Sequence, residues 1–261
     1  MGLPGGLEII YSVFFPPTDG LKKIIEDNER ENGPLVPINS GSGLRGDKWC
    51  EKHLIFDDTG DNISSLNPFF NEYTAIYWYF KNRMGGNNDY VGFYHYRRLF
   101  NEDQILDYRD YDMILPTSND LGVPLLQQYG YWHSVSDLHT LLGYLHKTNP
   151  ELAKKFMAFL LISTVCVGEG FIFIMRKELF REWCSIAFKI MFGIFGDVCA
   201  SEEFEKRKDY NKRALCFLME RFFGFWVLEK ISSGGCKWKP LEKVFHLDFK
   251  PEYKRIEDGI D

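Results

Sequence analysis

The chain has 261 residues, 45% hydrophobic and 26% charged, which suits one large folded domain and excludes a disordered chain. Its net charge of −6 speaks against nucleic acid as a partner, because no face is forced to be basic. Its six cysteines form no C-x-x-C pair, which argues against a zinc site and for free thiols in a reducing compartment. No basic-then-apolar leader opens the sequence, so a cytoplasmic location is expected.

Residues 7–15 (LEIIYSVFF) are β-rich and predict a buried first strand, ended by Pro16 and Pro17. Residues 21–30 have the spacing of a short amphipathic helix, and 35–38 form a second apolar run closed by a Gly/Ser loop at 39–43. That loop lacks the Lys-Ser/Thr of a P-loop. Residues 69–82 show helical spacing, with Asn67 placed to cap the helix and Pro68 at its first position. The strand at 89–94 runs straight into His95-Tyr96-Arg97-Arg98, and a further strand at 111–115 ends at Pro116.

Helices are expected at 136–146 and 150–161. The apolar run 156–175 is about long enough to span a bilayer. Ser163, Thr164, Gly168, Glu169 and Gly170 interrupt it, and Glu169 would be costly in lipid. The preferred reading is therefore a buried helix followed by a strand at 170–175. A helix at 177–195, a charged and solvated stretch at 201–209, a long helix at 211–231 and a short strand at 244–247 complete the chain. Strands alternating with helices define an α/β fold with a mainly parallel central sheet and a helical C-terminal part. Ligands of such sheets bind beyond the C-terminal strand ends, which draws attention to residues 95–98.

Two guanidiniums and an imidazole at a strand end can hold a diphosphate, because the planar fork of Arg matches phosphate oxygens. The competing reading pairs one of these arginines with Glu72 while Tyr96 packs. Asp61, Asn62 and Ser64, followed by Asn71 and Glu72, could read base or ribose edges, or could equally form a turn and a helix cap. Glu220-Arg221 lies on an otherwise apolar helix, so Glu220 is either ion-paired or a general base. Glu169 and Asp137 are lone carboxylates with weaker claims. His133 and His139 flank Asp137, but a zinc site would need a third ligand. No G-x-S-x-G elbow and no G-x-G-x-x-G fingerprint occurs.

Several segments in order carry a resemblance. They are Pro37-Ile38 with Gly41, DDTGDNISSLNPFFNEYTAIYW at 57–78, DYVGFYHYRRLF at 89–100, YDMILP at 111–116, the His133 to Asp137 pairing, FIMRKELF at 173–180 and Glu220-Arg221-Phe222. Together they resemble a bacterial group of capsular-polysaccharide and lipopolysaccharide glycosyltransferases long catalogued as a domain of unknown function. The resemblance implies a GT-A-like nucleotide-sugar-binding fold in a single domain, residues 1–261. Residues 7–120 would form the nucleotide-sugar half and residues 121–248 a helix-rich acceptor half. The implied reaction moves a hexose from a nucleotide-diphosphate sugar to an oligosaccharide or lipid-linked saccharide. A UDP-sugar is favoured as donor, with UDP-galactose as one candidate.

The resemblance places Asp61, Asn62, Asn71, Glu72, His95, Tyr96, Arg97 and Arg98 at the donor. Glu220 becomes the preferred base, with Glu169 and Asp137 in reserve. Many GT-A enzymes hold a divalent metal (Mn or Mg) on a D-x-D motif. Here Asp57-Asp58 and residues 107–112 are poor substitutes, so Arg97 and Arg98 would replace the metal charge, and a metal-dependent variant stays open. The chain departs from the family pattern at Phe15-Pro16-Pro17, where a His-Lys-like pair is expected, and at Glu169-Gly170, where Asn-Met is expected. Aromatics around Trp183, Phe192, Phe195 and Trp226 could touch the inner membrane peripherally or pack in the core. The alternatives are another nucleotide-dependent transferase and a non-catalytic module of a polysaccharide assembly complex.

Overall fold

The computed structural model describes residues 6–13, 17–42, 52–168, 170–200 and 202–245. Strands β1 (Leu7–Val13), β2 (Leu35–Asn39) and β3 (Ile55–Phe56) open the chain, with helix α1 (Asp19–Glu31) between the first two. Thr18 caps α1 by accepting the Leu21 N–H, and Asn32 ends it in the left-handed conformation. Short helix α2 (Asn67–Phe70) and α3 (Tyr73–Asn82) lead to β4 (Tyr90–His95), β5 (Arg98–Phe100) and β6 (Met113–Pro116). Helices α4 (Leu125–Trp132), α5 (Val135–Thr148) and α6 (Pro150–Ile162) precede β7 (Phe173–Arg176) and α7 (Lys177–Cys199). Short α8 (Glu202–Glu205), α9 (Ala214–Ser232), β8 (Trp238–Leu241) and β9 (Lys243–Phe245) follow.

The strands form one sheet with the order β3-β2-β1-β4-β7-β6-β8, while β5 pairs with β4 and β9. Along that path β7 alone runs against its neighbours. The expected mainly parallel sheet is present, with β7 reversed on this path and β5 reversed beside β4. From β1 the chain steps outward to β2 and β3 on one side and to β4 on the other, which makes a switch point at the C-terminal ends of β1 and β4. There Ser12 lies in register with His95.

Alternation along the strands separates two cores. Val91 and Phe93 of β4, Phe173 and Met175 of β7, and Met113 and Leu115 of β6 face the larger one. Tyr90, Tyr94, Ile174 and Ile114 face the smaller one, together with Leu21 and Ile25 of α1. The larger core is roofed by helices, among them α9, whose buried residues between Ala214 and Val227 lie on all sides of the helix.

The expected helix at 69–82 is two helices. Asn71 takes φ +45° and ψ −126° between them, a positive-φ backbone outside the left-handed helical well. The freed carbonyls are satisfied, since Asn67 Nδ2 donates to Asn71 O (2.9 Å) and the Cys216 thiol donates to Phe70 O (3.1 Å). Asn67 therefore stitches the break and does not cap a continuous helix. The expected helix at 211–231 begins at Ala214, after a 3-10 turn over Asp209–Arg213. The run 156–175 divides into α6 and β7, and among the described residues no helix is long and apolar enough to cross a membrane. Trp183 and Trp226 are core residues, whereas Phe192 is exposed. Among the described residues Cys166, Cys184, Cys199, Cys216 and Cys236 are free thiols. Cys50, Phe15, Pro16, Glu169 and residues 246–247 lie outside the described residues.

Candidate active site

Residues 95–98 form a tight hairpin. His95 ends β4, Arg98 begins β5, and the two pair across the turn. The hairpin projects Arg97 and Arg98 beyond the C-terminal edge of the sheet, into a cleft also lined by Glu72, Arg213 and Glu220. The cleft holds about 670 Å³ of empty space, part of it continuous with solvent. Asn71 and Glu72 reach it because the break between α2 and α3 turns them outward, and the Asn71 amide donates to the Glu72 carboxylate.

The fourth wall is the turn entering β7. Gly168, Gly170 and Phe171 all have positive φ (+76°, +88° and +47°). A Cβ on Gly168 would sit 2.8 Å from the Phe223 ring, and one on Gly170 3.2 Å from the Arg98 side chain. Helix α9 seats this turn with residues three and four apart on one face. Glu220 Oε1 accepts the Gly170 N–H (2.9 Å), Phe223 packs under Gly168, and Gly224 lets Val167 O approach. Arg98 Nη1 donates to Gly170 O (3.2 Å), which ties the hairpin to the turn. Glu220 Oε2 also accepts from Arg221 (2.6 Å), so both of its oxygens are engaged.

Among the described residues, no carboxylate forms an ion pair with Arg97, Arg98 or Arg213. Arg97 lies over the Tyr96 ring (5.1 Å) and its Nε is buried without a partner, while Arg213 lies over Tyr210 (6.0 Å). Their charges act on their neighbours. Burial, then Arg97, Arg98 and Arg213, hold the His95 imidazole well below the usual histidine range. It is therefore neutral at pH 7, and its Nδ1 accepts the Arg97 N–H (3.3 Å), leaving Nε2–H as its donor. Burial holds the Glu72 carboxyl above the usual carboxylate range. Glu220 pushes the same way, against its own backbone N–H and the pull of Arg213 and Arg98.

The donor set does not fit a divalent cation. Glu220 is engaged twice, Glu72 shares its carboxylate with Asn71, and the surrounding groups are guanidiniums. Among the described residues no group of three or more His, Cys, Asp or Glu is arranged to hold a metal. Asp57 is wholly buried and accepts from Gly41 N, Ser42 N, Ser42 Oγ and Ser64 Oγ, so it fastens the loop after β2. Asp107 pairs with Lys239 and Asp112 with Arg176.

The structure thus gathers Asn71, Glu72, His95, Arg97, Arg98 and Glu220 on one cleft, with Tyr96 behind His95 (ring centroids 4.2 Å). Asp61 and Asn62 lie elsewhere. Asp61 accepts from Tyr77 and pairs with Lys81, and Asn62 donates to Asp58 O and Gly60 O within its own loop. Asp137 lines a neighbouring cleft, where it holds Arg207 through two bonds of 2.9 and 3.0 Å. Sequence reasoning missed Arg213, Tyr210 and Phe217. Arg213 immediately precedes the N-terminus of α9, where the helix dipole disfavours a cation and favours an anion, but the helix expected from 211 concealed that position.

The mixed α/β sheet puts a cleft lined by three arginines at its switch point, the place where open sheets of this kind bind ligands. The chain belongs to the family described as Domain of unknown function (DUF4422), whose model matches residues 26–231. No curated protein matches the chain. It is similar in fold to the bifunctional glycosyltransferase WbbM in its apo structure, at a TM-score of 0.75 and 21% identity, over 96% of this chain and 48% of that one. The chain therefore spans about half the length of that protein.

Proposed function

We propose that the chain is a glycosyltransferase that moves a sugar from a nucleotide-diphosphate donor to a saccharide acceptor. The observation that carries this reading is the set of three arginines, Arg97, Arg98 and Arg213, facing one cleft without carboxylate partners among the described residues. In a chain of net charge −6, such a concentration of unneutralised guanidinium calls for an anion. The similarity in fold to a glycosyltransferase supports a nucleotide-sugar as the source of that anion. A UDP-sugar is the favoured donor, and the acceptor is an oligosaccharide or lipid-linked saccharide of capsule or lipopolysaccharide synthesis. The protein would work in the cytoplasm at the membrane periphery.

Negative charge grows on the diphosphate as the glycosidic bond to it breaks, so fixed guanidiniums stabilise the transition state more than the bound donor. Neutral His95 adds a hydrogen-bond donor without a charge. The acceptor hydroxyl must lose a proton. Glu220 already accepts from Gly170 and Arg221, so Glu72, held above the usual carboxylate range, is the better-matched acceptor for that proton.

Thermal-shift measurements with UDP, GDP, CMP and ADP, with and without manganese, test this reading. A ligand at about 100 times its Kd adds about 2.7 kcal/mol of stability. UDP or GDP is expected to raise the melting temperature without manganese, and Arg97→Ala to lose most of the gain. The absence of any shift with every nucleotide would sink the assignment.

A further inference from the structure

We propose that the cleft between the C-terminal end of α4 and Phe217 is a saccharide-binding subsite that seats the acceptor chain beside the arginine cleft. This rests on the glycosyl-transfer reading above, and it assigns a ligand to a part of the molecule which that reading does not use. The cleft is lined by Tyr131, Trp132, His133, Ser134, Asn211 and Phe217, above the Asp137–Arg207 pair.

Three observations point to sugar. The end of α4 holds out two adjacent large aromatics, Tyr131 and Trp132, 63% and 56% exposed. Exposed aromatic faces of this size fit the apolar C–H face of a sugar ring, while nearby hydroxyl and amide side chains suit its rim of hydroxyls. The charge is wrong for phosphate: Asp137 neutralises Arg207 with two bonds, and Glu203 stands 4.0 Å from the same guanidinium. His133 is also neutral at pH 7, because burial first, and Arg221 next, bring its pKa down to about 4. The site thus offers hydrogen bonds without net positive charge.

The third observation is continuity. Phe217 lines both clefts. His133 stacks flat on it (3.9 Å, 18°), and Tyr210, which borders the arginine cleft, lies 5.1 Å from it. An aromatic wall therefore runs from the exposed end of α4 to the arginines. A saccharide lying along it would present its end where the donor sugar is released.

Saturation-transfer NMR on the full chain tests this, with methyl β-glucoside, methyl β-galactoside and UDP as separate probes. Both aromatics are exposed, so Tyr131→Ala/Trp132→Ala is expected to fold like the parent, and circular dichroism checks that. At least one glycoside is expected to receive saturation on its ring protons from the parent protein. The double variant should cut that signal about fivefold or more while leaving the UDP signal intact. Glycoside signals unchanged in the double variant, or no glycoside signal beside a clear UDP signal, would overturn the subsite and leave the donor reading standing. Variant-sensitive glycoside signals with no UDP signal would support the subsite and overturn the donor reading.

Discussion

Two neighbouring clefts use arginine in opposite ways. Arg207 is 7% exposed and held by Asp137 through two bonds, so its charge is spent inside the protein. Arg97, Arg98 and Arg213 border open space, and their neighbours record the unspent charge in a depressed His95 and in opposing pulls on Glu72. The same residue type is structural where a carboxylate satisfies it and, on the proposed reading, a ligand group where none does. Proximity to a cleft does not decide the role; the partner does.

The largest effect should come from breaking the satisfied arginine. Asp137→Ala leaves Arg207 buried without its carboxylate, and is expected to cost about 3–5 kcal/mol in urea unfolding. A cost under about 1 kcal/mol would mean that this pair is no more structural than a surface bridge. The converse substitution touches an unsatisfied arginine. Arg213→Ala should weaken UDP binding by about tenfold or more in calorimetry, because charge-assisted hydrogen bonds contribute about 1.5–3 kcal/mol. Its unfolding free energy should stay within about 0.5 kcal/mol of the parent. An unchanged Kd would return Arg213 to the solvated surface.

The smallest effect concerns the neutral histidines on the two clefts. Folded His133 has its pKa lowered to about 4, whereas an unfolded histidine titrates near 6.5. As pH falls through that window the unfolded chain takes up the proton first, so stability drops on acidification. Buried carboxyls such as Asp137, raised by burial against the pull of Arg207, act with the opposite sign. The informative quantity is therefore a difference. His133→Gln should lose less stability than the parent between about pH 7 and about pH 5, read from urea midpoints. Equal losses would mean that His133 protonates as easily in the folded state as outside it.

Much of the sheet was legible because strands buried on both faces read as short continuous apolar runs, as in residues 90–94 and 173–175. The hairpin arginines were legible for the same reason: a strand that reads clearly announces where it ends. Helical spacing carried across Asn71 without a flaw, so nothing in the pattern exposed the break that turns Asn71 and Glu72 into the cleft. The loop at Asp61 and Asn62 read both ways because residues that bind ribose also close turns, and Asn62 does bond within its own loop. Arg213 fell inside the helix expected at 211–231, which hid its place just before the N-terminus of α9. Strand direction leaves no periodic trace at all, so the reversal of β7 could not be read.

That reversal governs which insertions the molecule can use. In the parallel strands the segment leaving the strand reaches the ligand edge, but in β7 it is the segment entering it. The stretch between α6 and β7 can therefore be lengthened or recoloured to remodel the cleft. The exit of β7 passes directly into α7, with no intervening residue, at the opposite edge. Variation that retunes the ligand, natural or engineered, has a natural entry point upstream of β7 and almost none downstream.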